Sequence, residues 1–463
     1  APATMLPDVV VIEELEYEIC RAARTSLGKF NNDTTSCYDR ILCWLANLSS
    51  RKYGLDQKIC VVQGKTLEQA KYHLRTQLGI SEGFIQHCKA HPIYGTGQGS
   101  GNSPAYWLFI SSILFNMHAL KAHGAKFCSP DGSLSIVLHQ MGFVDDTSNR
   151  TNDFDNQEQL TAKKMLHLMQ HDAQVWHDIL WASGGDLELP KCTFHQIHFE
   201  FDNKGRPKML QGRFSSSLHV VTAAGKKIRI KQLSVCESHK LLGCHKEPMG
   251  LQQTQLAVLK TKCDEFAKVV NCSTLDRHES LIFYRHIYIP SVTYPLCTTF
   301  FTEKQLDSIQ SQANRTLTQS CGHAGNTHMA ILYGPMEHQG GEYVNLYDAQ
   351  GIGSTQMFLK HWRTDREPGK LLRISMSWWQ FVAGVSFPLL EQPGTSPPHF
   401  NSESKFVASI RNYLADIGAT IELDNPYIPP LQREHDSYMM DAVINSGKFK
   451  TAEIKYVNLY RLY

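Results

Sequence analysis

Three short stretches hold the residue types that phosphoryl chemistry requires. The first is Phe30-Asn31-Asn32-Asp33-Thr34-Thr35-Ser36-Cys37-Tyr38-Asp39-Arg40-Ile41. The second is Gly95-Thr96-Gly97-Gln98-Gly99-Ser100-Gly101-Asn102-Ser103-Pro104, and the third is Phe143-Val144-Asp145-Asp146. Nucleotidyl transfer to a 3′ hydroxyl uses two Mg²⁺ ions. One activates the attacking oxygen, and both offset charge on the reacting phosphate and the leaving pyrophosphate. Mg²⁺ prefers hard oxygen ligands and takes one or two carboxylates alongside substrate phosphates. One Asp at a strand end and another on the turn of an adjacent hairpin meet that need, so Asp33 and Asp145 qualify if their segments pair. Singly, the stretches say little. An Asp-Asp pair is more often a solvated turn, and Gly-x-Gly-x-Gly with no Lys-Ser/Thr after it is not a P-loop.

The elements that must position these residues are readable from periodicity. Apolar spacing predicts helices over Ile41–Tyr53 and Thr66–Leu78, the second with Leu67, Ala70, Leu74 and Leu78 on one face. Ser103-Pro104 reads as an N-cap followed by proline in the first turn of an apolar helix, Ala105–Leu120. Ser133–Val144 reads as strand. Lys163–Ser183 is an amphipathic helix with Met165, Leu166, Met169, Ala173, Trp176 and Leu180 on its apolar face. Gly184-Gly185 ends it, and Leu187, Leu189, Phe194, Ile197 and Phe199 read as strands beyond. Further helices are expected at Gln252–Val270, Asp276–Ile289 and Glu303–Ser320, with a Pro-rich break from Gln392 to Pro398 before a last helical segment.

Composition excludes several classes. The chain has 463 residues with 42% hydrophobic and 10% aromatic, enough for about three packed units. With 46 Lys+Arg against 44 Asp+Glu, a strongly basic total is absent, so any nucleic-acid surface must concentrate its charge locally. The segment from Lys204 to Lys231 does this, with Lys204, Arg206, Lys208, Arg213, Lys226, Lys227, Arg229 and Lys231, against an acidic N-terminal region of Glu13, Glu14, Glu16 and Glu18, and on residue types alone a solvated face is the equal reading. The apolar run Tyr106–Leu120 is short of the roughly 18 residues a membrane span needs, so no membrane partner is expected. Thirteen cysteines without a C-x-x-C pair suit free thiols in a reducing, intracellular compartment, nucleus or cytoplasm. His87-Cys88-x-x-His91 and Cys321-x-His323-x4-His328 lack the second half of a closed zinc site and read as ordinary loop or core residues. Core packing is the better reading of Trp378-Trp379.

Taken together in this order, the stretches resemble the reverse transcriptase of non-LTR (LINE-type) retrotransposons. Asp33 with Asp39-Arg40-Ile41 is similar to that family's first palm motif, D-x5-D-[RK]-[IV]. Gln98-Gly99-x3-Ser103-Pro104 matches its Q-G-x3-S-P motif, and Phe143-Val144-Asp145-Asp146 its [FYA]-x-D-D hairpin. Gly184-Gly185 with Leu187-x-Leu189-x-Lys191 resembles a fourth motif, a helix, a Gly turn and a strand bearing lysine. Lys240-Leu241-Leu242-Gly243 resembles the K-x-L-G primer grip. The likeness spans about Leu27 to Gly250, and Gly334-Pro335 with Gly340-Gly341 is a looser match beyond it.

The resemblance implies an α+β fold: a polymerase right-hand palm, an antiparallel sheet with flanking helices, followed by a mostly α-helical thumb and C-terminal region. Its divisions would be 1–250 for the palm, 251–330 for the thumb and 331–463 for a mostly helical extension. It implies an RNA-directed DNA polymerase acting on an RNA template, a DNA primer and deoxynucleoside triphosphates. Asp33, Asp145 and Asp146 would hold two Mg²⁺ ions, with Mn²⁺ as the alternative ion. Tyr38 would abut the incoming sugar, Gln98, Gly99 and Ser103 would line the nucleotide pocket, and Lys191 would protonate the leaving pyrophosphate. A snorkelling surface lysine is the equal alternative for Lys191. Lys226, Lys227, Arg229 and Lys231 with Lys240 and Gly243 would face nucleic acid. Two departures stand out. Few residues precede Asp33, so the fingers that grip the triphosphate in this family are expected to be lacking, and Asn31-Asn32 is polar for a buried strand. The alternatives are a truncated, inactive relative that at most binds nucleic acid, and a group II intron-like enzyme.

Overall fold

The computed structural model describes residues 6–35, 37–40, 42–88, 95, 101–152, 161–203, 207–215, 217–392, 405–431 and 433–450. At its centre is a five-stranded sheet: β1 (Leu27–Asp33), β2 (Gln140–Phe143), β3 (Asp146–Thr151), β4 (Thr193–Ile197) and β5 (Lys231–Leu233). The spatial order is β5-β4-β1-β3-β2. β1 lies antiparallel between β3 and β4, β2 and β3 form a hairpin, and β4 and β5 run parallel. Strand alternation sends Phe30 and Phe194 to one face, under the helices α2 (Ser103–Ala119) and α3 (Ala162–Ala182). Leu27 and Ile197 point to the other face, under α1 (Leu6–Ala23).

Asn32 lies inside the first of these cores, 4% exposed, and its polarity is fully used. Its Oδ1 accepts from Trp176 Nε1 at 3.0 Å and from the Thr147 hydroxyl, and its amide donates to Asn149 Oδ1 at 3.2 Å. A buried polar side chain satisfied in this way leaves the strand's burial intact.

The second core joins the expected palm, 1–250, to the expected extension, 331–463. α1 packs with α6 (Leu346–Trp362), α7 (Glu367–Ala383) and α8 (Lys405–Asp416) through Val11, Leu15, Phe358, Leu371, Trp379 and Phe406. Asp8 on α1 accepts from Lys360 Nζ at 2.7 Å and contacts His361 Nε2 at 3.0 Å. A third core unites α4 (Gln253–Asn271), α5 (Glu303–Ser320) and the start of α6. Past residue 250 every element among the described residues is helical.

Several expectations are corrected. The helix expected over Thr66–Leu78 lies instead at Gln57–Gln69, with Asp56 accepting from Lys58 N at 2.8 Å. Leu74 and Leu78 are 70% and 100% exposed, so their helical spacing has nothing to pack against. The single strand over Ser133–Val144 divides at His139 into Ser135–Leu138 and β2, which belong to different sheets. Leu187 makes only an isolated bridge to Thr34, and Leu189 and Lys191 lie in a turn before β4, so the lysine is not borne on a strand. The expected helix over Asp276–Ile289 is interrupted by a π-helical segment, Tyr284–Tyr288.

The largest correction concerns the N-terminal glutamates. Glu13, Glu14, Glu16 and Glu18 are 0–1% exposed and form the polar spine of α1 rather than an acidic surface. Glu14 accepts from Arg21 at 3.0 Å and Lys246 Nζ at 3.1 Å. Glu13 pairs with Lys29 Nζ at 2.6 Å and His239 Nε2 at 3.0 Å. Burial opposes ionisation, yet His239 and Lys29 hold the Glu13 carboxyl well below the usual carboxylate range.

Candidate active site at the end of the central strand

The register of β1 against β3 decides where the aspartates lie. Asp33, the last residue of β1, is paired with Asp146, the first of β3. Asp145 is on the two-residue turn between them and β2, since Phe143 pairs with Asp146. Val144, the other turn residue, has φ +58°, a region where a β-branched side chain is strained. Two bonds hold it there. Trp107 Nε1 on α2 donates to Val144 O at 2.6 Å, and Thr34 N donates to Asp145 O at 3.1 Å. Two stretches far apart in sequence thus place three carboxylates at one sheet end.

Asp146 senses both neighbours. Burial first, then the charges of Asp145 and Asp33, push its carboxyl up, while the Leu242 N–H and His239 pull the other way. Leu242 and Gly243 have φ +49° and +85° and make the tight turn between β6 (His239–Leu241) and β7 (Cys244–Lys246). Tyr294 donates to Leu242 O at 2.8 Å, and Gln255 on α4 accepts from His245 N at 2.7 Å. The K-x-L-G stretch is therefore a hairpin whose turn reaches Asp146. Lys191 Nζ lies 3.2 Å from Asp33 Oδ2, with the lysine side chain 67% exposed. That hydrogen bond, then the Asp33 charge, raises the Lys191 ammonium's pKa, so it stays protonated.

These residues open into a cleft of about 300 Å³ that Asn31, Asp33, Asp146, Lys191, Lys231, His239 and Lys240 help line. The Asn31 amide has no hydrogen-bond partner among the described residues. Sequence reasoning had read Asn31 only as a departure and had missed His239. The alternation of β1, which puts Asn31 on the face of Asp33, is the signal that would have found it.

The expected nucleic-acid residues divide. Lys231 and Lys240 line the cleft, and Gly243 forms the turn above it. Lys226, Lys227 and Arg229 are exposed on a separate hairpin, His219–Val221 against Lys227–Arg229, and are not among the lining residues. That hairpin is fastened to α3, where Gln170 and Gln174 each accept a backbone N–H at 2.9 Å. Arg213 is spent on Glu237, at 3.2 Å. Lys204, Arg206, Gln98 and Gly99 lie outside the described residues.

Tyr38 packs against the α2–α3 core and does not line the cleft. Ser103 is 1% exposed as the first residue of α2, with Asn102 rather than Ser103 in the N-cap position. Gly95 joins the first two stretches. At φ +99°, a Cβ there would meet Asp39 Cα at 2.5 Å. Cys321, His323 and His328 have structural work. Cys321 and His323 contact Tyr343, and His328 caps Met329–Tyr333.

Gly142 on β2 sets how closely α2 approaches the aspartate hairpin, because a Cβ there would meet Phe115 Cζ at 2.6 Å and Thr147 Cγ2 at 2.7 Å. Gly142→Ala is expected to cost about 1–3 kcal/mol in denaturant unfolding. A cost within error of zero would show that α2 shifts freely.

The donor set is all carboxylate oxygen and mutually repulsive, which suits a hard divalent cation. The aspartates are more open than a closed site. Among the described residues, Asp33, Asp145 and Asp146 do not form a trio with ligating atoms within 4.8 Å of one another. Mg²⁺ completes its shell with water and substrate phosphate, so this spread fits. No helix among the described residues is long and apolar enough to cross a membrane.

No family model matches the sequence, and no curated protein does. Solved structures that match include telomerase from Candida albicans in complex with a TWJ fragment of telomeric RNA. Its TM-score is 0.30 and its identity 11%, over 80% of this chain and 50% of that chain. Telomerase from Candida tropicalis with a TWJ fragment of telomeric RNA gives 0.31 and 15%, over 80% and 53%. Apo telomerase from Candida tropicalis gives 0.28 and 12%, over 78% and 55%. The chain spans about half the length of the solved chains it matches.

Proposed function

We propose that the chain is an RNA-directed DNA polymerase of the LINE type, with the cleft lined by Asp33 and Asp146, and Asp145 exposed on the turn beside it, as its nucleotidyl-transfer site. The single observation carrying this reading is the ladder pairing Asp33 with Asp146 directly after the turn bearing Asp145. The order of motifs along the chain supports the finer, LINE-type assignment.

In this reading Asp33 and Asp145 hold two Mg²⁺ ions, with Asp146 supporting them. Ions held there would supply activation of the primer's 3′ hydroxyl and compensation of the charge on the transferred phosphate. The chain's residues do the rest. The hairpin around Leu242 and Gly243 sets the primer end beside Asp146. Lys231 and Lys240, both exposed on the cleft wall, neutralise the primer–template backbone. Lys191 releases Asp33 and gives its proton to the leaving pyrophosphate, a role suited to an exposed, protonated ammonium. The Asn31 amide, without a hydrogen-bond partner among the described residues, turns to a polar edge of the bound strand.

Primer extension on an RNA template with deoxynucleotides and Mg²⁺ tests the proposal. Asp145→Asn is expected to slow extension about 100-fold, and equal rates in the two proteins would overturn it. Electron paramagnetic resonance with Mn²⁺ provides a separate readout. Asp145→Asn is expected to weaken ion binding, and unchanged binding would remove the metal assignment.

A further inference from the structure

At the opposite end of β3 from Asp146 lies a second cluster of ligating groups. His123 follows the C-terminus of α2, His171 and Asp172 are neighbours on α3, and Thr151 is the last residue of β3. The ligating atoms of His123, His171 and Asp172 all lie within 4.8 Å of one another, the one such trio among the described residues. Asp172 Oδ1 is 2.8 Å from His123 Nδ1 and 3.2 Å from His171 Nδ1. Ligands of a tetrahedral ion with bonds of roughly 2.0–2.1 Å stand about 3.3 Å apart. Both carboxylate-to-imidazole distances are thus near the spacing that one ion of this kind imposes, and the two imidazole nitrogens lie within 4.8 Å of each other.

The carboxylate is built in rather than incidental. Asp172 is buried, and its Oδ2 accepts from Thr151 Oγ1 at 2.8 Å. Its Oδ1 also accepts from His123 N at 3.0 Å, which fixes the loop carrying the first imidazole. Its backbone oxygen contacts His118 Nε2 at 3.2 Å. The two imidazoles are 41% and 47% exposed, with ring centroids 5.0 Å apart, so solvent reaches the ion's remaining positions. Two nitrogens and one carboxylate oxygen select a late first-row divalent cation over Mg²⁺ or Ca²⁺.

We propose that His123, His171 and Asp172 bind one late first-row divalent cation of the zinc class, with water in its open position, pinning the end of α2 to α3 and β3. Thr151 positions the carboxylate without touching the ion. This site uses none of the cleft residues, so it stands or falls independently of the polymerase reading.

Co²⁺ titration of the whole chain tests it, because cobalt spectra separate imidazole and carboxylate ligation from thiolate ligation at the exposed Cys88 and Cys272. A single equivalent is expected, with d–d bands lacking thiolate-to-cobalt charge transfer and displaced by Zn²⁺. His171→Ala and His123→Ala, both at exposed positions, are each expected to weaken binding at least about tenfold. Thr151→Val, which keeps all three ligands, is expected to weaken it about tenfold through the loosened carboxylate. No binding, thiolate bands alone, or unchanged affinity in both histidine variants would each overturn the site.

Discussion

Arg150→Met is expected to lower the unfolding free energy by about 3–5 kcal/mol, the cost of leaving a buried charge without its partner. Arg150 on β3 and Lys29 on β1 are directly opposed in the ladder, and both are 0% exposed. Two cations facing each other across a ladder repel, more so without water. α1 resolves the conflict by laying two glutamates over them. Glu16 accepts from Arg150 Nε and lies 3.6 Å from Lys29 Nζ, while Glu13 pairs with Lys29 from one turn earlier. Arg150 also donates to Ser148 O at 2.7 Å and Ser148 Oγ at 2.9 Å. With methionine there, Glu16 keeps only the distant share of Lys29. The double variant Arg150→Met/Glu16→Gln, which removes the orphaned charge, is expected to recover at least half of the loss. Denaturant titration followed by tryptophan fluorescence reads both. A loss below about 1 kcal/mol in the single variant would mean that water enters the network.

This network explains which features were legible from sequence. Helices with a clean apolar stripe were, and α5 spans the expected Glu303–Ser320 with a Thr302–Gln305 capping box at its start. The residues left the pairing of the Asp33 and Asp145 segments as a condition, since a strand end and a hairpin turn are local features but their meeting is not, and the order of the motifs alone pointed to it. The burial of α1 was not legible. A glutamate is almost never fully buried unless paired, and apart from Tyr17 and Arg21 on α1 itself the partners of Glu13, Glu14, Glu16 and Glu18 come from β1, β3, the β6–β7 hairpin and α7–α8. No local pattern announces partners that far away. The same limit misplaced the helix at Thr66–Leu78, where spacing is helical but tertiary contact is missing. It also gave Lys191 a strand it does not have. There the chain turns at Leu189–Lys191 because Lys191 N donates to Glu188 O at 2.8 Å, and that turn brings the ammonium to Asp33.

Glu18 carries the other large expected effect, and it runs opposite to the network's usual sense. Burial, outweighing the nearby Arg21, pushes its carboxyl up from 4.5 to about 7, with Glu14 adding to the rise. Its Oε1 accepts from Phe406 N at the start of α8, and its Oε2 from the Ser375 hydroxyl at 3.1 Å. A carboxyl raised on folding binds its proton more tightly in the native chain than in the unfolded one. Between pH 4.5 and about 7 the native state therefore holds the extra proton, and stability falls as pH rises through that window. At about 1.4 kcal/mol per pH unit the full difference is at most about 3 kcal/mol, in force above pH 7 and absent below the unfolded value. Glu18→Gln keeps an oxygen for Phe406 N and cannot ionise. The variant is expected to match wild type near pH 4.5 and exceed it by up to about 3 kcal/mol at pH 8, the difference curve bending near pH 7. The remaining titrating groups, including Asp146 and Glu247, contribute to both proteins and cancel in that difference. Parallel stability curves across pH 4.5–8 would mean that Glu18 is solvated in the native state, and that α1 and α8 are held by the apolar contacts of Val11, Leu15 and Phe406 alone.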